Sequence, residues 1–331
     1  MSQPAVMDQA TKTPERLEAI DQFRGLAIFL MVLADYLNNV PITPAWLKHA
    51  EDIGYTIIDL IAPLFIFAIG LTFGLSFRRR YARQGAWKTY EHFIARNLAL
   101  IGLGFLIILG GSLSQLADNT VNWGLLPALG MAGLITLLVI RLPSGWRWVI
   151  GLALLGVYQV LLDHYWLNDI FAATHNGPWG SLSWGAMLIL STAMADLFHE
   201  AGRGRQAFPR VAVFVTVIGI GLGYLIPISK HRASVSYTLL SLGLSALVFY
   251  GLFLINNRLK IHLPMLTGWG RNALLLYLLH GIFIGILILP IYTGWISDVP
   301  VWFVALEALA LLGMLSWIGH YLDKRGLYFV L

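Results

Sequence analysis

Long apolar segments recur along the whole chain, and they restrict its fold more than any other feature. The hydrocarbon core of a bilayer is about 30 Å thick, so a helix needs about 20 mostly apolar residues to cross it. Of the 331 residues, 58% are hydrophobic and 12% are charged. The sequence predicts an all-α integral membrane protein with ten transmembrane helices. The predicted spans are residues 24–40, 54–77, 94–113, 122–141, 146–163, 181–198, 209–228, 235–256, 270–293 and 301–322.

The basic residues divide unequally between the two sides of these spans. With the N-terminus inside, 19 of the 22 Lys and Arg residues lie in inner segments, and only Lys48, Lys230 and Arg232 lie outside. Cytoplasmic loops of membrane proteins carry such an excess, and the excess sets the orientation. The split therefore predicts cytoplasmic N- and C-termini in a multi-pass protein, which we expect in a bacterial inner (plasma) membrane.

The predicted spans leave no room for a soluble domain. We expect residues 1–15 to form a flexible, polar tail and residues 16–331 to form one polytopic membrane domain. The tail lacks the apolar core of a cleavable signal peptide, so the first span would act as the insertion signal.

Composition also restricts the partners. The net charge of +5 is explained by basic loops that face anionic lipids, so we expect a lipid bilayer and no nucleic acid. The chain has no Cys, which excludes a disulfide and a cysteine nucleophile. Its nine His residues show no spacing typical of a metal site, so we expect no metal. A second copy of the chain, as a homodimer, is a further candidate partner.

The ionisable residues inside predicted spans include Asp35, Asp59, His280 and Glu307. A charged group at membrane depth costs a few kcal/mol, so each needs a partner or a function. Pro63 cannot donate a hydrogen bond to the carbonyl four residues earlier, that of Asp59. The kink expected there predicts a polar cavity near the outer side. The same four residues would also suit a transporter or flippase that passes substrate or protons.

Cations gather at the inner ends of the predicted spans. Arg78, Arg79 and Arg80 follow the second span. Guanidinium groups bind phosphates, although a basic run of this kind serves equally as a topology signal. Arg271 and Asn272 lie at the start of the ninth span, where helix N–H groups also attract anions.

Two further features lie next to the first two predicted spans. Asp21 and Arg24 are three residues apart at the inner start of the first span, a spacing that allows an ion pair on one helical face. His49 lies on the outer loop, ten residues before Asp59. A histidine suits proton transfer near neutral pH, and a carboxylate at one ring nitrogen would fix its tautomer. A lone loop histidine can equally be a bystander.

Several motifs resemble those of one family of membrane acyltransferases. Residues 16–28 (RLEAIDQFRGLAI) resemble its opening signature, and residues 48–54 (KHAEDIG) and 55–70 (YTIIDLIAPLFIFAIG) follow at the expected distance. Residues 226–243 (IPISKHRASVSYTLLSLG) and 270–280 (GRNALLLYLLH) are similar to two later elements. The chain thus resembles the heparan-α-glucosaminide N-acetyltransferase-like family.

The resemblance implies a reaction and a set of site residues. In that family, cytosolic acetyl-CoA donates an acetyl group to an amino sugar across the membrane. It implies His49 as the catalytic residue, either general base or acyl acceptor, and Asp59 as its supporting carboxylate. The residues expected to hold acetyl-CoA are Arg24, Arg78, Arg79, Arg80, Arg271, Asn272, Tyr277 and His280. Those expected to contact the sugar or glycan acceptor are Asp21, Asp35 and Lys230.

The chain departs from the family pattern at three places. Asp52 stands where the family usually has Trp, residues 231–233 replace a pair of large residues, and residues 176–180 (NGPWG) match an Asp-Pro-x-Gly element only loosely. All three lie in predicted outer segments, where the acceptor would bind, so they affect which acceptor we expect. Besides the transporter, a membrane protein of the same fold that binds without catalysing is a third interpretation.

Overall fold

The computed structural model describes residues 18–38, 40–112, 123–200, 202–292 and 299–329. The predicted tail, residues 1–15, lies outside them. The regular secondary structure within these ranges is helical. The α-helices are α1 (Glu18–Asn38), α2 (Ile61–Ser112), α3 (Leu125–Val139), α4 (Ser144–Leu161), α5 (Leu167–Phe171), α6 (Gly177–His199), α7 (Arg203–Leu222), α8 (Val235–Arg258), α9 (Pro264–Arg271), α10 (Ala273–Tyr292) and α11 (Val301–Lys324).

Each predicted span coincides with a helix or with part of one, and the all-α prediction is confirmed for the described residues. By length and composition, six described helices can cross a membrane, or seven if the bent pair α9–α10 forms one span. The helix α3 has only 15 residues, and α1 carries four ionisable residues within its 21. The protein is thus a multi-pass helical membrane protein, while the count of ten spans and the sidedness of its termini stay predictions.

The 52-residue helix α2 is a hairpin. Its backbone leaves the helical region at Gly85, where φ is 78°, a value that glycine adopts without strain. Phe73 packs on Phe93 and Phe77 packs on Tyr90, so the two halves run antiparallel. The polar segment 78–88 forms the two helix ends that meet at this turn.

A second break separates α9 from α10, whose axes differ by 90°. Before this break, α9 touches α1 backbone to backbone. A Cβ on Gly270 would lie 1.8 Å from the carbonyl oxygen of Asp21, and one on Gly25 would lie 1.9 Å from that of Leu266. Only glycine permits this approach, which holds the start of α10 beside the inner end of α1.

The helix α6 lies at the centre of the bundle, packed against α2, α3, α4, α7 and α8. Most of its residues are buried, including Met187, Leu190 and Met194. In contrast, α7 and α11 leave large apolar side chains exposed, such as Phe214 and Leu309. An exposed apolar face of this kind suits contact with lipid tails.

Candidate functional site

His49 and Asp59 meet at the predicted outer ends of the helices, as their spacing allowed. The Nδ1 atom of His49 lies 2.8 Å from Oδ1 of Asp59. The Asp59 side chain is fully buried, whereas that of His49 is 30% exposed. A buried carboxylate thus orients, through Nδ1, a histidine that a substrate can reach.

The backbone around Asp59 explains how this carboxylate is held. Its Oδ2 atom accepts hydrogen bonds from the backbone N–H groups of Ala50, at 3.3 Å, and Thr56, at 3.0 Å. The hydroxyl of Tyr237 donates to the Asp59 carbonyl oxygen at 2.7 Å. This carbonyl is the one that Pro63 cannot bond, so α8 supplies the donor that the proline removes.

Lys230 completes the cluster from the loop between α7 and α8. Its Nζ atom lies 2.9 Å from both ring nitrogens of His49. Burial lowers the pKa of Lys230 to about 8, and the negative charges of Asp59 and Asp35 partly offset that effect. Lys230 is therefore a cation that titrates close to neutral pH, in contact with His49.

Two of the departures from the family pattern contact each other. The Nε atom of Arg232 donates to Oδ1 of Asp52 at 2.9 Å, and the Ser229 hydroxyl donates to the same oxygen at 2.8 Å. Arg232 lowers the pKa of the Asp52 carboxyl, which is therefore ionised at neutral pH. The backbone N–H of Gly54 also donates to the Ile228 carbonyl. These bonds join the loop of His49 to the loop of Lys230.

His175 was not predicted from the sequence, and it interacts with the same cluster. Electrostatic interactions link it to Lys230, His49 and Asp35. His175 and Asn176 have positive φ values of 49° and 67°, and such strain is retained where the surrounding structure imposes it. The Asn176 amide donates to the carbonyls of Lys230 and His231, both at 2.7 Å. The available signal was the turn sequence of residues 174–178 (THNGP) in a long outer segment.

The remaining ionisable residues within the predicted spans are also paired. The Nε2 atom of His280 lies 3.0 Å from Oδ2 of Asp35, which joins α10 to α1. The hydroxyl of Tyr36 donates to Glu307 at 2.7 Å, which joins α1 to α11. Glu307, for which the sequence offered no partner, is thus held by a tyrosine.

A second cluster forms at the inner end of α1. Asp21 lies 3.6 Å from both Arg24 and Arg271, and Arg271 donates to Asp323 at 2.9 Å. Asn272 is fully buried at the α9–α10 break, and neither atom of its side-chain amide has a hydrogen-bond partner among the described residues. A buried amide without a hydrogen-bond partner lowers the free energy of unfolding by about 1–3 kcal/mol, and a bound polar ligand that supplied the hydrogen bonds would restore it.

Asp21 does not share a site with Lys230. It lies 14 residues before Asp35 on α1, or about 20 Å along the axis at 1.5 Å per residue. Asp21 thus lies with Arg24 and Arg271, and its assignment to the acceptor stays a prediction.

The arginines that follow the second predicted span do not join that inner cluster. Arg78 donates to both carboxylate oxygens of Asp196, which also contacts the buried Arg147. Arg78, Arg147 and Asp196 line a cavity of about 400 Å³ between α2, α6 and the α3–α4 turn. Arg79 is exposed, and Arg80 donates to Gln84. A role for these arginines in phosphate binding stays a prediction.

No group of His, Asp and Glu that could hold a metal ion occurs among the described residues.

The family model described as heparan-α-glucosaminide N-acetyltransferase, catalytic, matches residues 16–253, well over half of the chain. The heparan-α-glucosaminide N-acetyltransferase of Homo sapiens is 32% identical over 108 residues, 32% of this chain and 16% of the human protein. That of Mus musculus is 34% identical over 95 residues, 28% of this chain and 14% of the mouse protein. The matched segments thus span less than a fifth of either relative.

Proposed function

The chain belongs to the heparan-α-glucosaminide N-acetyltransferase catalytic family, and we propose that it transfers an acetyl group across a membrane. The donor is cytosolic acetyl-CoA, and the acceptor is a sugar or amino sugar on the outer side. The membrane is a bacterial inner membrane, with the basic loops facing the cytoplasm. The observation that carries the proposal is the contact of His49 with buried Asp59 and with Lys230.

In one route, His49 removes a proton from the acceptor while the acceptor attacks the thioester carbonyl. In the other, His49 takes the acetyl group first and then passes it to the acceptor. Asp59 accepts from Nδ1, so it fixes the tautomer and stabilises the imidazolium. Both routes need Nε2 free, so Lys230 moves off the ring when substrate binds. A protonated Lys230 then stabilises the negative charge that develops on the carbonyl oxygen.

The donor enters from the opposite end. Arg24 and Arg271 at the inner end of α1 hold the CoA phosphates. The buried Asn272 amide, which lacks a partner, bonds the donor. Tyr277 and His280 lie further along α10 and line the path of the pantetheine arm toward His49. Arg78, Arg79 and Arg80 add positive charge at the entrance.

The test uses purified protein, radiolabelled acetyl-CoA and a panel of amino sugars. We expect acetyl transfer by the wild type, and a loss of at least ~10²-fold in His49→Ala, because removal of a general base has effects of this size. CoA affinity should stay within a few-fold, because the phosphates bind at the other end. His164→Ala is the matched control: His164 is an exposed histidine in a different predicted outer segment, and its loss should leave the rate unchanged.

Two results would contradict the proposal. A wild-type protein that binds no CoA at millimolar concentrations would point to a carrier. A folded, CoA-binding His49→Ala variant that keeps more than about a tenth of the rate would remove His49 from the chemistry.

A further inference from the structure

A second histidine–carboxylate pair, Asp35 and His280, lies near the first. The Nε2 atom of His280 is 3.0 Å from Oδ2 of Asp35, and its Nδ1 atom contacts the carbonyl oxygen of Tyr277. The His280 side chain is 8% exposed, whereas that of Asp35 is 45% exposed. A nearly buried imidazole is therefore paired with a carboxylate that is partly exposed.

Both ring nitrogens of His280 face hydrogen-bond acceptors. A neutral imidazole donates through one nitrogen and accepts through the other. The Tyr277 carbonyl can only accept, and an ionised Asp35 can also only accept. The contacts are satisfied only if the pair holds one extra proton, as imidazolium with carboxylate or as neutral imidazole with carboxylic acid. In either form the pair carries a proton that it can give away.

Lys230 connects this pair to His49. Its ammonium group touches the His49 ring, and it interacts electrostatically with Asp35 as well as with Asp59. His175 interacts with Asp35 and with His49. The two histidine–carboxylate pairs are therefore linked electrostatically through Lys230 and His175, one pair beside the loop of His49 and the other on the helices α1 and α10.

We propose that the Asp35–His280 pair is the general acid that protonates the sulfur of the departing CoA. This inference rests on the proposed acetyl transfer. The acceptor nitrogen forms a bond to the carbonyl carbon, and its proton goes to His49. The C–S bond breaks with its electron pair on sulfur, and the extra proton of the pair converts the thiolate to the thiol. His49 then releases its proton to outer water, and Asp35 regains one from water through its exposed side.

The proposal is tested with two classes of acetyl donor. An aryl thiol is more acidic than the alkyl thiol of CoA, so its thiolate leaves without protonation. The transfer rate to a fixed amino sugar is measured with acetyl-CoA and with an aryl thioacetate that the wild type turns over. We expect His280→Gln to lose ~10²-fold or more with acetyl-CoA and less than about tenfold with the aryl donor. His49→Gln should lose a similar factor with both donors.

A merely structural role predicts a different pattern. If His280→Gln loses the same factor with both donors, the pair is not the acid. Asp35→Asn provides the same comparison should the His280 variant not fold, because a carboxamide can donate to Nε2 and the pair then lacks its extra proton. Glu307→Gln, which alters the neighbouring Tyr36–Glu307 contact, should show no dependence on the donor. A wild type that uses neither donor would instead refute the proposed function.

Discussion

At the residue scale, the proposed acetyl transfer depends on the protonation of a few side chains around His49. Asp59 is fully buried and accepts hydrogen bonds from backbone N–H groups as well as from His49. Such bonds favour the charged form of a carboxylate. His49 can therefore gain a proton during the reaction next to a charge that is already in place.

The first prediction concerns the charge of Lys230. Its pKa is lowered to about 8, so it loses its positive charge as the pH rises through this value. If that charge stabilises the developing oxyanion, kcat/KM of the wild type should fall as the pH is raised above about 8. Lys230→Arg keeps its charge to much higher pH, so its profile should stay flat over the same range. A pH–rate profile of both proteins checks this.

The outcome for the variants separates two roles of Lys230. Lys230→Met should be slow at every pH and should lack the descending limb. If Lys230→Met instead retains that limb with its midpoint unchanged, another group titrates there, and the role of Lys230 is wrong.

Some residues of this site could be predicted from the sequence, and the others could not, for a physical reason. His49 and Asp59 were identified because both fall in short motifs, and Pro63 marked a carbonyl that needed another donor. His175 and Asn176 could not be identified, because their importance comes from a backbone with positive φ and from bonds to a loop more than 50 residues away. Contacts of this kind leave no local pattern.

At the element scale, the contact between α1 and α9 positions the inner cluster. Gly270 lies against the Asp21 carbonyl with no room for a side chain. The contact sets the start of α10, and therefore sets where Asn272, Tyr277 and His280 lie relative to α1.

The second prediction is that Gly270→Ala weakens this contact. The added Cβ would lie 1.8 Å from a backbone oxygen, so the two helices must separate, and overpacking of this kind costs about 1–3 kcal/mol. We expect a lower unfolding temperature and a weaker CoA affinity. Gly281→Ala in α10 is the control, since nothing lies within 4 Å of a Cβ at that position. Equal stability of the two variants would show that α1 and α9 are not in such close contact.

Helix positions were predictable at this scale, whereas helix breaks were less so. The apolar segments marked the long helices because their length and composition are local properties, whereas the short helices α5 and α9 lie mostly outside the predicted spans. The turn at Gly85 was not predicted, since a polar run of this kind is compatible with a surface helix as well as with a hairpin end. The contact of Phe73 with Phe93 decides between them, and it depends on tertiary packing.

At the scale of the whole molecule, the two clusters lie at opposite ends of the bundle. His49, Lys230 and Asp59 gather where the outer loops meet, and Arg24, Arg271 and Asn272 gather at the other end of α1. The skewed distribution of Lys and Arg predicts that the first cluster faces outward and the second inward. This separation is what the proposed transfer requires, with the donor on one side of the membrane and the acceptor on the other.

This separation is tested most directly by a sided transfer assay. Protein is reconstituted in vesicles in one orientation, with radiolabelled acetyl-CoA sealed on the side of Arg24 and a membrane-impermeant amino sugar on the side of His49. We predict that labelled acetyl-sugar appears on the sugar side while CoA stays on the other, and that His49→Ala abolishes the product. Transfer that occurs only when both substrates are on the same side would contradict the account.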